Sequence, residues 1–277
     1  MDEFYSDLAC ERRKADLSVA GVNMTRERRG TFLWERISIT SKDGADSIGR
    51  PIGNYDTLSL PSLETLDEED VYDAAEEVAR ELCIMCDASD IVPDKILVAG
   101  LGNGRLTPDS LGTKTAELVN ATMHVFNSHG HLSLYDCSQI AVCTPGVSAY
   151  SGMEASEVIK CICERIRPDV VFAVDALAAK STERLGKTIQ ISDTGICPGS
   201  GIGASRVAID KGYLGSPVIS IGVPTVINAD YFIKDNHSLK DDFFGKGFFL
   251  SPKDIDSIAS ISAKIIATGI NQAFGIL

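Results

Sequence analysis

Two aspartates stand out by their surroundings. Thr107-Pro108-Asp109 lies in the glycine-rich stretch GLGNGRLTPDSLG (residues 100–112), and Asp175 directly follows the apolar run Val170 to Val174. Thr107 suits a helix N-cap and Pro108 the first helical position. Asp109 is therefore expected in a first helical turn, where the helix dipole favours its ionised form. A carboxylate that ends an apolar strand has no packing role, and the bland alternative is that Asp175 caps the stretch Ala176 to Lys180. Carboxylates at the ends of two sheet strands can converge on one substrate. One held ionised and one held protonated is the pattern that general acid–base hydrolysis needs.

A third loop, DTGICPGSGIG, spans residues 193–203. Its Asp193-Thr194-Gly195 matches the D-T-G of pepsin-like enzymes, but those are β-rich and use two such motifs, whereas this chain has one. Asp193, Gly199, Ser200 and Gly201 are expected to bind substrate, with the amides from Gly199 to Gly203 forming an anion nest or a peptide clamp. A tight structural turn is the plainer reading.

Other chemistries have less support. A dinucleotide fingerprint after Gly100 would need an acidic residue about 20 positions on, and Met123 to Asn127 has none. There is no G-x-S-x-G, and Gly199-Ser200-Gly201 lacks the preceding buried strand of a nucleophile elbow. His124, His129, His131 and His237 fall in polar loops; His129-Gly130-His131 has no third ligand nearby and is expected in solvent. Cys83 and Cys86 form a C-x-x-C inside a helical pattern, without a second pair at zinc-finger spacing. The eight cysteines are expected to be free thiols, largely buried.

The elements that would position these loops follow from periodicity. Thr65 and Glu68 form a capping box ahead of the stripe Val71, Ala75, Val78, Leu82 and Cys86. Ile96 to Ala99, Gln139 to Cys143, Val170 to Val174 and Pro217 to Gly222 read as strands. Pro108 to Val119, Glu154 to Arg167 and a last segment capped by Ser251 to Asp254 read as helices. Thr31 to Thr40 is a strand, while Gly44 to Pro61 reads as a loop. Apolar strands separated by amphipathic helices predict an α/β fold, a mostly parallel, hydrolase- or phosphorylase-like sheet with helices on both faces, preceded by an irregular N-terminal arm. In such sheets ligands bind at the carboxyl ends of strands. One α/β domain is expected over residues 17–277, with 17–64 as the arm and first-strand region.

The chain has 277 residues, and 26 Lys and Arg against 39 Asp and Glu give a net charge of −13. That balance argues against direct nucleic-acid binding, which needs a basic footprint. The basic clusters Arg12-Arg13-Lys14 and Arg26 to Arg29 are expected on a solvated, mobile arm. No apolar run reaches the roughly 20 residues of a membrane span, and Met1 to Lys14 lacks an apolar signal core. A cytoplasmic protein with no membrane partner is expected.

Taken together, the motifs resemble the germination proteases of spore-forming bacteria. GLGN followed by TPDSLG, then VDALAAKS, ISDTGICPGSGIG and IGVPTVINA occur in that family's order, and SPKDIDSIASISAKIIATGIN is similar to its closing helix. The resemblance runs from about Ala15 to the C-terminus. It implies an endopeptidase that degrades small acid-soluble, DNA-protecting spore proteins during germination, within the forespore and spore core. It also implies a homotetramer and an inactive precursor that loses an N-terminal pro-segment, here residues 1–16, by a cut between Asp16 and Leu17. The family's proposed catalytic aspartates map onto Asp109 and Asp175. The stretch Tyr231 to Phe249 replaces a longer one, which bears on substrate-facing and assembly surfaces. The loops also distantly resemble the peptidases that mature hydrogenases, where comparable carboxylates meet a metal. Two chemical versions therefore stand: the aspartates activate water directly, or they grip a divalent ion that polarises it. No cofactor is firmly implied. A non-catalytic nucleotide- or peptide-binding regulator on the same sheet is the alternative from another class.

Overall fold

The computed structural model describes residues 6–12, 19–61, 66–129, 137–200, 206–229 and 248–275. Among these residues nine strands join in one sheet: β1 (Val22–Arg29), β2 (Phe32–Ile39), β3 (Gly53–Ser59), β4 (Lys95–Gly100), β5 (Gln139–Cys143), β6 (Val170–Ala179), β7 (Thr188–Ser192), β8 (Val218–Asn228) and β9 (Phe249–Leu250). Their order across the sheet is β1-β2-β3-β7-β8-β6-β4-β5, with β9 pairing β8. The helices are α1 (Ala9–Arg12), α2 (Lys42–Ile48), α3 (Glu68–Ala88), α4 (Leu111–Leu118), α5 (Met123–His129), α6 (Ser148–Ser151), α7 (Ala155–Ile166), α8 (Lys211–Leu214) and α9 (Ile255–Phe274).

The half of the sheet that positions the site is parallel: β5, β4, β6 and β8 run in one direction. These strands are apolar on both sides, and successive residues serve opposite layers. Val98, Phe172, Val174 and Ile221 pack under α3 and α9. Leu97, Ala99, Val171 and Ala173 pack against Ile159 and Cys163 of α7. The α/β fold with helices on both faces is therefore present.

The other half is antiparallel and includes the stretch expected to be irregular. β1 pairs β2, β2 pairs β3, and β3 joins the sheet through β7. Its sequence hides this for two reasons. β1 is an edge strand with mostly exposed residues, so it has no apolar alternation. β3 buries Asp56 and Thr57, polar residues that make GNYDTLS look like a loop. The basic cluster in β1 is not a mobile arm: Arg26 pairs with Glu35, and Arg29 with Glu27.

The long helix α3 begins two residues later than its sequence signal. Asp67 and Asp70 cap each other reciprocally, which does the work expected of Thr65 and Glu68; Thr65 lies outside the described residues. The cysteines are all free among the described residues, and Cys161 is exposed on α7 rather than buried. Burial pushes the Cys86 and Cys143 thiols up to about 12, so neither is a ready nucleophile. Among the described residues no helix is long and apolar enough to cross a membrane.

Candidate active site

Asp175 owes its position to a mismatch in strand length. β4 pairs β6 only as far as Gly100 opposite Val174, whereas β8 continues beside β6 as far as Ile227 opposite Ala179. Leu101 N–H closes the last bond, to the Val174 carbonyl at 2.8 Å, and the chain then turns away. Asp175 is the next residue of β6. It therefore lies inside a ten-residue strand rather than at a strand end, and it does not cap a helix. The opening is made by its neighbour stopping, which puts the carboxylate where open α/β sheets bind ligands.

The second aspartate is delivered by the turn that β4 runs into. Thr107–Asp109 is a single 3-10 turn, and α4 starts after it at Leu111. The cap position of α4 is Ser110 rather than Thr107, so Asp109 precedes the helix instead of sitting in its first turn. The turn is pinned from both sides. Asn103 N–H donates to the Asp109 carbonyl at 2.8 Å, and the Thr225 hydroxyl of β8 donates to the Pro108 carbonyl at 2.6 Å. Gly102 makes this approach feasible: its φ is +91°, and a Cβ there would fall 2.2 Å from the Asp109 carbonyl oxygen. The glycines of this loop thus serve close packing, and Gly112 does the same, since its Cβ would fall 2.3 Å from the Val174 oxygen.

Asp109 and Asp175 line one cavity of about 330 Å³, together with Asp7, Leu106, Gly199 and Thr225. Asp175 is only 5% exposed, and the neighbouring Ala176 N–H donates to it at 2.9 Å. Burial pushes its carboxyl well above the usual range, and the negative charges of Asp109 and then Asp7 push it further. Burial also raises Asp109, against the Asn103 amide and the charge of Arg206. The helix-dipole expectation for Asp109 therefore gives way to desolvation as the dominant effect. Two acids that interact across one partly buried site titrate as a pair rather than singly.

The other expected site residues divide. Gly199 reaches the cavity, and the Ser200 hydroxyl donates to Asp7 at 2.6 Å. Asp193 does not reach it. Its carboxylate accepts from the Asn54 backbone and side-chain amides, each at 2.7 Å, and ties the end of β7 to β3. Gly201, Asp16 and Leu17 lie outside the described residues, as do the side chains of His129, His131 and His237. Among the described residues no three His, Cys, Asp or Glu side chains gather as a metal site. Among the described residues, Asp109, Asp175 and Asp7 are the carboxylates that line the cavity, and beyond residues 1–16 Asp109 and Asp175 are the two that could hold a divalent ion.

The structure also adds a residue that the sequence did not single out. Asp7 lies in a segment, residues 6–12, laid against the far end of β6. Its N–H donates to the Ala178 carbonyl at 2.8 Å, and Ala178 N–H donates back to its carboxylate at 2.9 Å. Nothing in the spacing of a polar N-terminus marks such a residue, because its role comes from a partner about 170 positions away.

The model of the germination protease family matches residues 3–247 of the chain. The chain belongs to the germination protease family. A germination protease of Caldanaerobacter subterraneus subsp. tengcongensis is 33% identical over 97% of this chain and 93% of its own. One from Clostridium acetobutylicum is 31% identical over 99% and 95%, and one from Bacillus cereus is 36% identical over 87% and 70%. Among solved structures, a [NiFe] hydrogenase maturation protease of Thermococcus kodakarensis overlays 67% of this chain and 99% of its own, at a TM-score of 0.38 and 18% identity. As a germination protease the chain is a peptide-bond hydrolase, and its substrates are proteins. Within it, the cavity at the open end of β4 holds the two carboxylates described above.

Proposed function

We propose that this germination protease cleaves peptide bonds with Asp109 and Asp175 as its working carboxylates. The observation that supports this reading is their meeting in one cavity, Asp175 buried and Asp109 partly so, with no arginine or lysine bonded to either among the described residues. In this mechanism Asp109 takes a proton from the attacking water. Asp175, whose protonated form is favoured by burial and by the charge of Asp109, hydrogen-bonds the scissile carbonyl oxygen and passes its proton on to the departing amine. Asp109 then returns the proton it took, and the pair is restored. Gly199 and Thr225 shape the wall along which a peptide lies.

The substrates proposed are the small acid-soluble proteins that coat spore DNA, and the place of action is the spore interior. We also propose that the enzyme is made as a precursor and that a cut between Asp16 and Leu17 frees a single domain over 17–277. The segment 6–12 supports this, because Asp7 lines the cavity that a substrate must enter. A homotetramer is the proposed assembly, on the strength of the resemblance.

The test is cleavage of a small acid-soluble spore protein, read by mass spectrometry, with the processed chain beside Asp109→Asn and Asp175→Asn. Specific cuts by the wild type and none by either folded variant are expected. Equal cutting by all three would move the chemistry elsewhere. Loss of activity in a strong chelator, restored by added metal, would transfer it to the metal-assisted version.

A further inference from the structure

A second opening in the sheet lies away from the cleft and arises in the same way. The ladder between β7 and β8 ends with Ser192 opposite Ser220, but β8 begins earlier, at Val218. After Asp193 the chain turns off to pair Ile196 with Ile209, so β7 leaves the first residues of β8 uncovered. A pocket of about 240 Å³ stands there, between the start of β3, the end of α3 and the start of α8. Its apolar wall is Ile91 and Ile219, both buried, with Ile52 at the rim, 54% exposed. The pocket is smaller than the roughly 300–1,000 Å³ of drug-sized sites and suits a ligand of few atoms.

Two opposite charges, Asp193 and Lys211, line the same pocket. Neither forms an ion pair with the other or with a third group among the described residues. Asn54 makes one bond to each Asp193 oxygen, and a carboxylate has room for about four in all. Gly53 leaves the space in which that carboxylate sits. Its φ is +149°, and a Cβ there would fall 2.4 Å from Asp193 Oδ1. The pair excludes simpler ligands. An inorganic anion would meet the Asp193 carboxylate, and a metal ion would find one acid where it needs several. A wholly apolar molecule would strip water from both charges without replacing it. A small zwitterion with an apolar side chain satisfies every wall at once. Being neutral overall, it is also not repelled by a chain of net charge −13.

We propose that this pocket binds a free aliphatic α-amino acid, with Lys211 bonding its carboxylate, Asp193 its ammonium, and Ile52, Ile91 and Ile219 enclosing its side chain. The site is separate from the cleft. None of its lining residues lines the cavity of Asp109 and Asp175 or the smaller one beside Asp7. The two are joined through the chain, since Asp193 opens the loop that brings Gly199 to the cleft. Hydrolysis of a peptide bond leaves one carboxylate and one ammonium, so the ligand class is that of the end products of proteolysis. The assignment does not depend on which residues cut the substrate.

The test is a titration of the full chain, carrying isotope-labelled isoleucine methyl groups, with L-leucine, read by methyl NMR. Saturable shifts at Ile52, Ile91 and Ile219 are expected, with a Kd in about the millimolar range. N-acetyl-leucine lacks the ammonium and leucinamide the carboxylate. Each is expected to bind about tenfold more weakly or worse, the scale of one charge-assisted bond. Lys211 is exposed, so Lys211→Met should fold, and it should bring leucine and leucinamide to about equal affinity. Lys211→Arg should keep the preference for leucine, because the cation remains. Several outcomes would overturn the site: no saturable binding, equal binding of leucine and its two blocked forms, or an unchanged preference in Lys211→Met. Shifts confined to Ile196 and Ile221, which line the cavity beside Asp7, would do the same. None of these readouts is cleavage, so failure of the catalytic reading would leave them standing.

Discussion

The molecule buries carboxylates in two places and treats them in opposite ways. Where α3 crosses β1–β3, each one meets an arginine. Arg36 contacts Asp56 at 2.6 Å and Glu81 through both of its terminal nitrogens. Arg29 reaches Glu77 and Glu81 at 3.5 and 3.6 Å, and Glu77 also accepts the Trp34 indole N–H at 2.8 Å. On the opposite side of β2, Glu35 is held by Arg26 and Arg184. In the cleft, Asp109 and Asp175 line one cavity, and among the described residues no arginine bonds to either. The first arrangement holds an edge of the sheet to a helix. The second leaves acids with protons to exchange. The difference teaches that burial of a carboxylate is not by itself a functional signal, whereas burial without a cation is.

Even the paired region has one partial exception. Asp56 is raised by burial and by Glu81 beside it, in spite of Arg36, because one guanidinium stands between two acids. This makes it the natural control for the cleft.

Four substitutions would break or sharpen the contrast. The largest effect belongs to Asp175→Asn, expected to lower kcat by about 10²–10⁴-fold, the usual worth of a positioned acid or base. Steady-state cleavage of a defined peptide measures it. The same variant should unfold at higher denaturant than the wild type at pH 7. The sign follows from its raised pKa: whatever protonated Asp175 contributes is fully present below about pH 4, the unfolded value, and is lost as pH rises through the folded value. The advantage of the variant should therefore shrink as the pH is lowered towards 4. An advantage that does not depend on pH would mean that Asp175 is ionised in the fold.

Next comes Arg36→Met, which strips the cation from Glu81 and Asp56. A loss of about 3–5 kcal/mol is expected, as for other buried pairs broken on one side, with cleavage per folded molecule retained. Urea unfolding checks the first part and active-fraction kinetics the second. A comparable fall in activity would show that the two regions are coupled rather than distinct. Gly102→Ala forces a side chain into a left-handed backbone and against the Asp109 carbonyl. It should cost about 1–3 kcal/mol and shift the turn that carries Asp109, reducing kcat more than it raises KM. The smallest change is Asp67→Ala at the start of α3, worth about 1 kcal/mol as a lost N-cap, with no effect on cleavage.

Much of the fold was legible because apolar runs advertise themselves. The parallel strands and the stripes of α3, α7 and α9 follow from periodicity alone, and β5 ends where Gln139 to Cys143 suggested. The antiparallel half was not legible, since the charges that stabilise β1–β3 are the same residues that disguise them as loop. At the site, Asp109 and Asp175 were visible as acids beside strands. That β6 runs on past Asp175 was not, because it depends on β8 being long, and no local pattern records a neighbour's length. Asp193 shows the reverse failure: a motif attractive on paper is held away from the cleft by Asn54.

The segment carrying Asp7 is held along its length, with Leu8 buried against Leu177 and Ala179. Besides the bonds of Asp7, Glu11 accepts from the Lys180 and Ser181 amides at 2.6 and 2.9 Å, and Ala9 N–H donates to Gln190 at 2.8 Å. As a free peptide it would be a weak ligand. As part of the chain it is present at its seat at an effective concentration in the millimolar range or above. In the proposed precursor the tether therefore adds to the grip. The proposed cut between Asp16 and Leu17 would turn a permanent occupant into a solute that dilution removes.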